Sequence, residues 1–115
     1  MGKKDIRRNF KNSVFKRDKY TCRICGTKYL DNPDMYLDAH HITDRSSMPC
    51  GGYVKENGIS LCKNYVDNTE SCHIKAEKYH ITNGEEWSEN LHPNDLYKLI
   101  GSSYEEAVMK STELC

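Results

Sequence analysis

The chain has 115 residues, of which 37% are hydrophobic and 30% are charged, and its formal net charge is zero. This length suits one domain with a thin core, a class of protein that often relies on a bound metal or a disulfide. The lack of a long apolar run argues against a transmembrane span or a signal peptide. We therefore expect a cytoplasmic protein without a membrane partner, in which spaced cysteines more often bind metal than form disulfides.

The charges are distributed unevenly along the chain. Residues 1–28 contain ten Lys or Arg and two Asp, a net charge of +8, and the remainder carries −8. Within this segment, residues 5–18 place Ile6, Phe10 and Val14 at helical spacing with basic residues between them, which predicts an amphipathic helix. The basic face suits a polyanionic ligand, although an ordinary solvated helix surface has the same composition.

Four cysteines have the order of a structural zinc site. Cys22 and Cys25, followed by Gly26, form a Cys-x2-Cys knuckle in which Gly permits the tight turn. Cys62 and Cys72 would complete a closed tetrahedral shell of thiolates, which suits zinc. Nine residues separate this second pair, which is an unusual spacing. The alternative is that Cys62 is a buried apolar residue and Cys72 is not a ligand.

The remainder of the chain predicts two short strands joined by a long polar connection, and three helices, which is an α+β fold. The predicted ranges are 35–42 and 59–62 for the strands, and about 71–79, 93–100 and 103–110 for the helices. Residues 63–71 are polar and predict a turn. Cys50 lies in the Gly-rich connection and Cys115 ends the chain, and we interpret both as free thiols.

The motifs in this order resemble those of the HNH, or ββα-metal, endonucleases. The matching features are Cys22-x2-Cys25, His40-His41-Ile42, Gly51-Gly52, Asn57-x4-Cys62 and Cys72-His73. The chain is particularly similar to the small free-standing members found in bacteriophage genomes, where a helix precedes the first cysteines. The resemblance implies a single ββα-metal domain over 1–115, divided into a basic N-terminal helix (1–21), a zinc-stabilised core (22–82) and C-terminal helices (83–115).

The resemblance also implies a role for each polar residue of the motif. His41 would be the general base, and Asn57 would brace the loop that orients this base. His40 and His73 would bind a catalytic metal. Glu77 follows His73 by one helical turn, where the similar colicin-type nucleases have a further ligand, although an exposed helix Glu is ordinarily only solvated.

The residue types agree with phosphodiester hydrolysis, which needs a deprotonated water and a cation. One geometric condition applies, because neighbouring strand residues point to opposite faces. His40 and His41 can converge only if the strand ends or bulges at this point. Asp38 shares the face of His40 and is a candidate for orienting a metal ligand. We interpret His80 and His92 as structural or surface residues.

These features predict a metal-dependent DNA endonuclease in the cytoplasm of a bacterial or phage-infected cell. Besides the structural Zn²⁺, the catalytic ion is expected to be Mg²⁺ or Mn²⁺, with Ni²⁺ or Zn²⁺ as alternatives. The predicted phosphate-binding residues are Arg7, Arg8, Lys11 and Arg45, although a loop Arg such as Arg45 equally often has no role. The alternative function is a zinc-containing DNA-binding module without cleavage. A structural interaction protein is disfavoured by the +8 segment.

Overall fold

The computed structural model describes residues 2–63 and 71–115, so most of the predicted turn at 63–71 lies outside the described residues. The described residues form a two-stranded antiparallel sheet surrounded by helices, which confirms the α+β class. The elements are α1 (Lys3–Arg17), α2 (Pro33–Tyr36), β1 (Leu37–His41), β2 (Gly58–Cys62), α3 (Cys72–Ile81), α4 (Pro93–Leu99) and α5 (Tyr104–Thr112). Among the described residues, no helix has the length and apolar character needed to cross a membrane.

Helix α1 packs on the sheet through its predicted apolar stripe. Phe10, Val14 and Phe15 are buried, and the helix begins two residues before the predicted start. The helix approaches the sheet closely at Gly58, where a Cβ atom would lie 2.6 Å from Val14 Cγ2 and 2.7 Å from Phe10 Cε1. A side chain at this position would therefore push α1 away from the sheet. Since Gly58 is the strand partner of His41, α1 is fixed against the end of β1.

A buried carboxylate ties the end of α1 to β2. Asp18 is 4% exposed and accepts the backbone N–H of Ser60 at 2.9 Å. It also pairs with Arg17 at 2.9 Å and Arg23 at 2.8 Å. Burial by itself raises the pKa of Asp18, but these hydrogen bonds and charges together hold it below its usual range. Arg17 additionally donates to the Gly58 carbonyl at 2.7 Å, so the helix end and the strand share one polar network.

The two strands pair in a regular register, with Leu37 opposite Cys62 and His41 opposite Gly58. Strand β2 is buried at all five positions because α1 and α3 both contact it. The strand predictions are confirmed except at the start of the first, where the structure has the short helix α2. Its first residue is Pro33, whose fixed φ suits a first helical position.

The C-terminal helices cover the connection between the strands. Helix α5 contacts the turn at Pro49–Gly52, and Ser102 Oγ donates to the Glu56 carbonyl at 2.9 Å. The sulfur atoms of Cys50 and Cys115 form a disulfide, with Cα atoms 5.9 Å apart. Our interpretation of these two cysteines as free thiols is therefore wrong. They lie 65 residues apart in sequence, and only the packing of α5 on the connection brings them together.

Candidate active site and cysteine cluster

Four sulfur atoms converge where the knuckle, the end of β2 and the start of α3 meet. The Sγ atoms of Cys22, Cys25, Cys62 and Cys72 all lie within 4.8 Å of one another. A tetrahedral ion with bonds of about 2.3 Å would hold its sulfur ligands about 3.8 Å apart, and Cys25 and Cys62 are 4.0 Å apart. The cluster therefore has the dimensions and donors to hold a metal such as zinc. This arrangement favours a four-cysteine set over the alternative in which Cys62 and Cys72 have no ligand role.

Local backbone structure positions these thiols. Gly26 adopts a φ of +77°, in the left-handed region, and its N–H donates to the Cys22 carbonyl at 2.9 Å, which closes the knuckle. Cys72 is the first residue of α3, and its N–H donates to Cys62 Sγ at 3.3 Å. Burial raises the pKa of the thiols of Cys62 and Cys72. A cation that displaced their protons would compensate for this unfavourable desolvation.

A second cluster of metal-ligand type lies between β1 and α3. His40 Nδ1 is 3.2 Å from Glu77 Oε1, and His73 Nδ1 is 3.3 Å from Asp38 Oδ2. Both nitrogen atoms are buried, and among the described residues neither has a partner with hydrogen-bond geometry. Burial lowers the pKa of His40, so its imidazole is neutral near pH 7, as a metal ligand must be. Buried nitrogen atoms without hydrogen bonds, beside two carboxylates, fit a divalent cation.

The structure brings together the predicted ligands His40, His73 and Glu77, and adds Asp38 and His80. Ligand atoms of Asp38, His40 and His73 lie within 4.8 Å of one another, and so do those of His40, Glu77 and His80. Asp38 was predicted only to orient a ligand, whereas its carboxylate lies with the ligand atoms themselves.

His80 is a site residue that our interpretation of the sequence missed. Its Nε2 is 3.0 Å from the His41 carbonyl. A carbonyl oxygen only accepts, so Nε2 is the donor, and in the tautomer protonated at Nε2 the Nδ1 atom has a lone pair for a metal. The available signal was spacing, because His73, Glu77 and His80 follow one another at four and three residues along one helix face.

His41 faces the other side of β1. Its ring centroid is 4.6 Å from that of Phe10 and 4.8 Å from that of Tyr53. The ring of His40 contacts His73 and His80 instead, at 5.3 Å each. Because β1 and β2 pair without a bulge, the two histidines alternate in the ordinary way. The structure therefore does not bring their rings together, although the strand does end at His41.

The environment of His41 keeps its ring neutral. Burial, assisted by the neighbouring His40, lowers the pKa of His41 to about 4. Its Nε2 is buried and has no hydrogen-bond partner among the described residues. A neutral imidazole has a free lone pair at pH 7, as a general base must, but this lowered pKa makes it a weaker base than an ordinary histidine.

A groove of about 390 Å³ lies beside His41 and carries cationic side chains. Its charged lining residues, besides His41, are Arg7, Lys11 and Lys63 against Asp34 and Asp38, and Lys11 pairs with Asp34 at 3.0 Å. The Arg7 guanidinium lies 5.8 Å from the centre of the Tyr53 ring. Arg45 is exposed and forms a hydrogen bond with the hydroxyl of Tyr53, which lines the groove. This hydrogen bond raises the pKa of Arg45. Of the four predicted phosphate-binding residues, Arg7 and Lys11 line this groove, whereas Arg45 and Arg8 do not, and Arg8 pairs with Asp5 at 2.5 Å.

Asn57 is completely buried at the end of the connection and uses its whole amide group. Its Oδ1 accepts the Thr43 N–H at 3.0 Å and the Tyr97 hydroxyl at 2.7 Å. Its Nδ2 donates to the carbonyls of Thr43 at 3.0 Å and Gly52 at 3.2 Å. Gly52 has a φ of +67°, and a Cβ atom there would lie 2.7 Å from Asn57 Nδ2. Asn57 thereby fixes the backbone two residues after His41.

No family model matches this chain, and no curated protein or solved structure shows significant similarity to it. The chemistry of the site must therefore be inferred from its own groups. Strand β1 carries metal-ligand groups on one face and a neutral histidine beside cations on the other. Such groups can bind a phosphate, hold a divalent ion and accept a proton.

Proposed function

We propose that the protein is a metal-dependent endonuclease of the HNH kind, which hydrolyses phosphodiester bonds in DNA. The main support is the arrangement around β1. Asp38 lies in both parts of the site, since it contacts His73 in the carboxylate–imidazole cluster and also lines the cationic groove of His41. A phosphate bound in that groove would therefore lie near both the base and the ligand cluster.

Two metals are part of this proposal. A structural Zn²⁺ would be held by the four-cysteine cluster. A catalytic divalent ion would be held by His40 and His73 with the Asp38 carboxylate, and Glu77 and His80 form an overlapping group with His40. The catalytic ion would supply positive charge to the scissile phosphate and to the leaving oxygen. The mixed nitrogen and oxygen donors suit Mn²⁺ or Zn²⁺, and the carboxylates also suit Mg²⁺.

The residues of the groove would perform the remaining tasks. Arg7 and Lys11 would hold the phosphate, and the neutral ring of His41 would take the proton from the attacking water. Asn57 would hold the backbone that follows His41 through its two hydrogen bonds to Thr43. A base fixed in this way loses little entropy when it reaches the reactive geometry.

A DNA-binding module without cleavage is the second candidate, and one observation favours it. His40 and His41 lie on opposite faces of a strand without a bulge, with their rings against different neighbours. In this arrangement the cationic groove would bind phosphate, and the cluster next to α3 would hold a metal for structural reasons only.

Incubation of the zinc-loaded protein with supercoiled plasmid, with and without Mg²⁺ or Mn²⁺, separates the two candidates. An endonuclease should nick or linearise the plasmid only with the added ion. His41→Ala should keep the fold and DNA binding yet lose cleavage by about two to four orders of magnitude, the usual contribution of general-base catalysis. Tyr36→Ala, an exposed change outside the groove, is the control. DNA binding without cleavage under every ion would support the module, and near-normal cleavage by His41→Ala would refute the assigned base.

A further inference from the structure

A second cleft, of about 430 Å³, has no part in the proposed hydrolysis. It lies between the turn after β1, the end of α3, helix α4 and the start of α5. The residues that line it include Asp44, Tyr79, His80, His92, Tyr97 and Tyr104. Its volume is in the range of small-molecule sites, so the cleft can accept a planar group of the size of a nucleobase.

Aromatic rings form much of this cleft. The rings of Tyr79 and His92 lie 5.0 Å apart, and Trp87 packs against His92 at 4.8 Å. Tyr97 is buried and bonds Asn57, whereas Tyr104 is 47% exposed. Rings held by neighbours while still lining a cleft can stack on a flat ligand with little loss of side-chain entropy.

The charge of the lining disfavours a phosphate. Among the described residues that line the cleft, Asp44 is the only carboxylate, and no Lys or Arg is present. Its neutral polar groups, which include Asn83 and Asn94, can donate to and accept from the edge of a base. This composition contrasts with the groove of His41, where Arg7 and Lys11 supply positive charge.

The cleft adjoins the candidate active site through one side chain. His80 lines the cleft, and its Nε2 bonds the carbonyl of His41. Thr43 and Asp44, which follow His41 closely in the chain, form another part of the wall. Because His80 also belongs to the His40–Glu77–His80 ligand group, a base in this cleft would lie beside the carboxylate–imidazole cluster, on the α3 side of β1.

We propose that this cleft binds an unstacked nucleobase of a nucleic-acid strand whose backbone passes the carboxylate–imidazole cluster next to His80. The proposal rests on the proposed function and deepens it, because it predicts a preference for single-stranded or distorted DNA, in which a base leaves the stack at low cost. Tyr104 and Tyr79 would contact the base, and Asp44 would repel phosphate and accept from an exocyclic amine.

The single tryptophan of the chain gives a direct readout of the cleft. Trp87 contacts Tyr79 and His92, so a base bound against these rings should quench its fluorescence. Zinc-loaded protein without Mg²⁺ or Mn²⁺ would be titrated with a single-stranded oligonucleotide and, separately, with free deoxyadenosine. A series of the same oligonucleotide, in which each member lacks the base at one different position, would be titrated in the same way. Anisotropy of a labelled strand would give the affinity.

We expect saturable quenching by deoxyadenosine but none by deoxyribose. At one position, the abasic strand should bind about tenfold more weakly, near the lower end of what one aromatic stack on a base contributes. Tyr104→Ala should weaken binding to a similar extent, because Tyr104 is exposed at the first residue of α5 and its removal should not disturb the core. Asn94→Ala, at another exposed position of the wall, should also weaken binding, whereas Tyr36→Ala should not.

The outcomes separate this proposal from the proposed function. One outcome is that the protein cleaves plasmid, while its affinity for the strand is unchanged by an abasic position, by Tyr104→Ala and by Asn94→Ala. In that case the cleft does not bind a base, and the nuclease assignment stands. If the protein neither binds nor cleaves DNA, the proposed function fails, and the deoxyadenosine titration still decides the cleft. Absence of saturable quenching by the nucleoside would then overturn the cleft as a base site, and quenching abolished by Tyr104→Ala would support the cleft as a site for a free base or nucleoside.

Discussion

Truncation of Asn57 should remove about 3 to 5 kcal/mol of folding stability. Asn57→Ala deletes four hydrogen bonds to Thr43, Gly52 and Tyr97. The Tyr97 hydroxyl retains its hydrogen bond with the Thr43 hydroxyl, at 2.7 Å. The Thr43 N–H and the carbonyls of Thr43 and Gly52 lose their hydrogen bonds to the amide group, and each unsatisfied buried group costs about 1 to 3 kcal/mol. Because the two Thr43 groups are only partly buried, the loss should lie in the lower part of the summed range. Domains of this size are stable by only about 5 to 15 kcal/mol, so the variant should be close to its unfolding limit at 37 °C.

Urea denaturation at saturating zinc, followed by circular dichroism, measures this difference from the midpoint and slope of unfolding. Two variants provide the scale. Tyr97→Phe removes one hydroxyl of the same network and should cost about 1 kcal/mol. Asn12→Ala makes the same amide deletion on the exposed face of α1 and should change stability by less than about 0.5 kcal/mol. A destabilisation below about 1 kcal/mol for Asn57→Ala, or equality with Asn12→Ala, would refute the assigned bracing.

Three further predictions concern the cysteine cluster, the groove and the buried carboxylate. Cys25→Ser should lose a tightly bound zinc and most of the cooperative unfolding, and metal analysis that finds no zinc in the well-folded parent protein would refute the site. Arg7→Gln with Lys11→Gln should lower the log–log salt slope of DNA binding by about 0.9 for each phosphate that is no longer neutralised, while Arg8→Gln, whose residue lies outside the groove, should leave the slope unchanged. Asp18→Asn should lower stability at pH 7 by about 3 kcal/mol or more, because Arg17 and Arg23 would then face a neutral group. The pKa of Asp18 is lowered on folding, so its contribution is present above its ordinary value of 3.8 and is lost as the pH falls below it. The difference between Asp18→Asn and the parent should therefore shrink in acid, and a constant difference from about pH 7 to about pH 2 would contradict the linkage.

Local pattern predicted the elements of this fold well. The apolar spacing of Phe10 and Val14 identified α1, and the Ser103 N-cap, which accepts the Glu106 N–H, marks the start of α5. Each of these signals depends on residues a few positions apart. By contrast, the Cys50–Cys115 disulfide depends on how α5 packs on the connection, and no local signal encodes that packing.

In the candidate site, too, the sequence predicted what depends on motif order and missed what depends on how the elements pack. The order of the motif residues predicted that His40, His73 and Glu77 lie together. The structure places them in two overlapping groups that share His40, with His73 beside Asp38 in one and Glu77 beside His80 in the other. The motif order did not predict that His80 bonds the backbone of His41, since this contact depends on the angle at which α3 crosses β1. His40 and His41 face opposite sides of β1, as the alternation of side chains along a strand requires. This rule alone was sufficient to predict that their rings would lie apart in a strand without a bulge.

The position of the cysteine cluster links the two candidate metal sites. Cys62 ends β2 and Cys72 begins α3, and His73 follows directly. A metal on these thiols would fix where α3 starts, and with it the positions of His73, Glu77 and His80 on that helix. Removal of this metal should therefore also weaken the binding of an ion by the carboxylate–imidazole cluster, so that the two sites gain or lose their ions together.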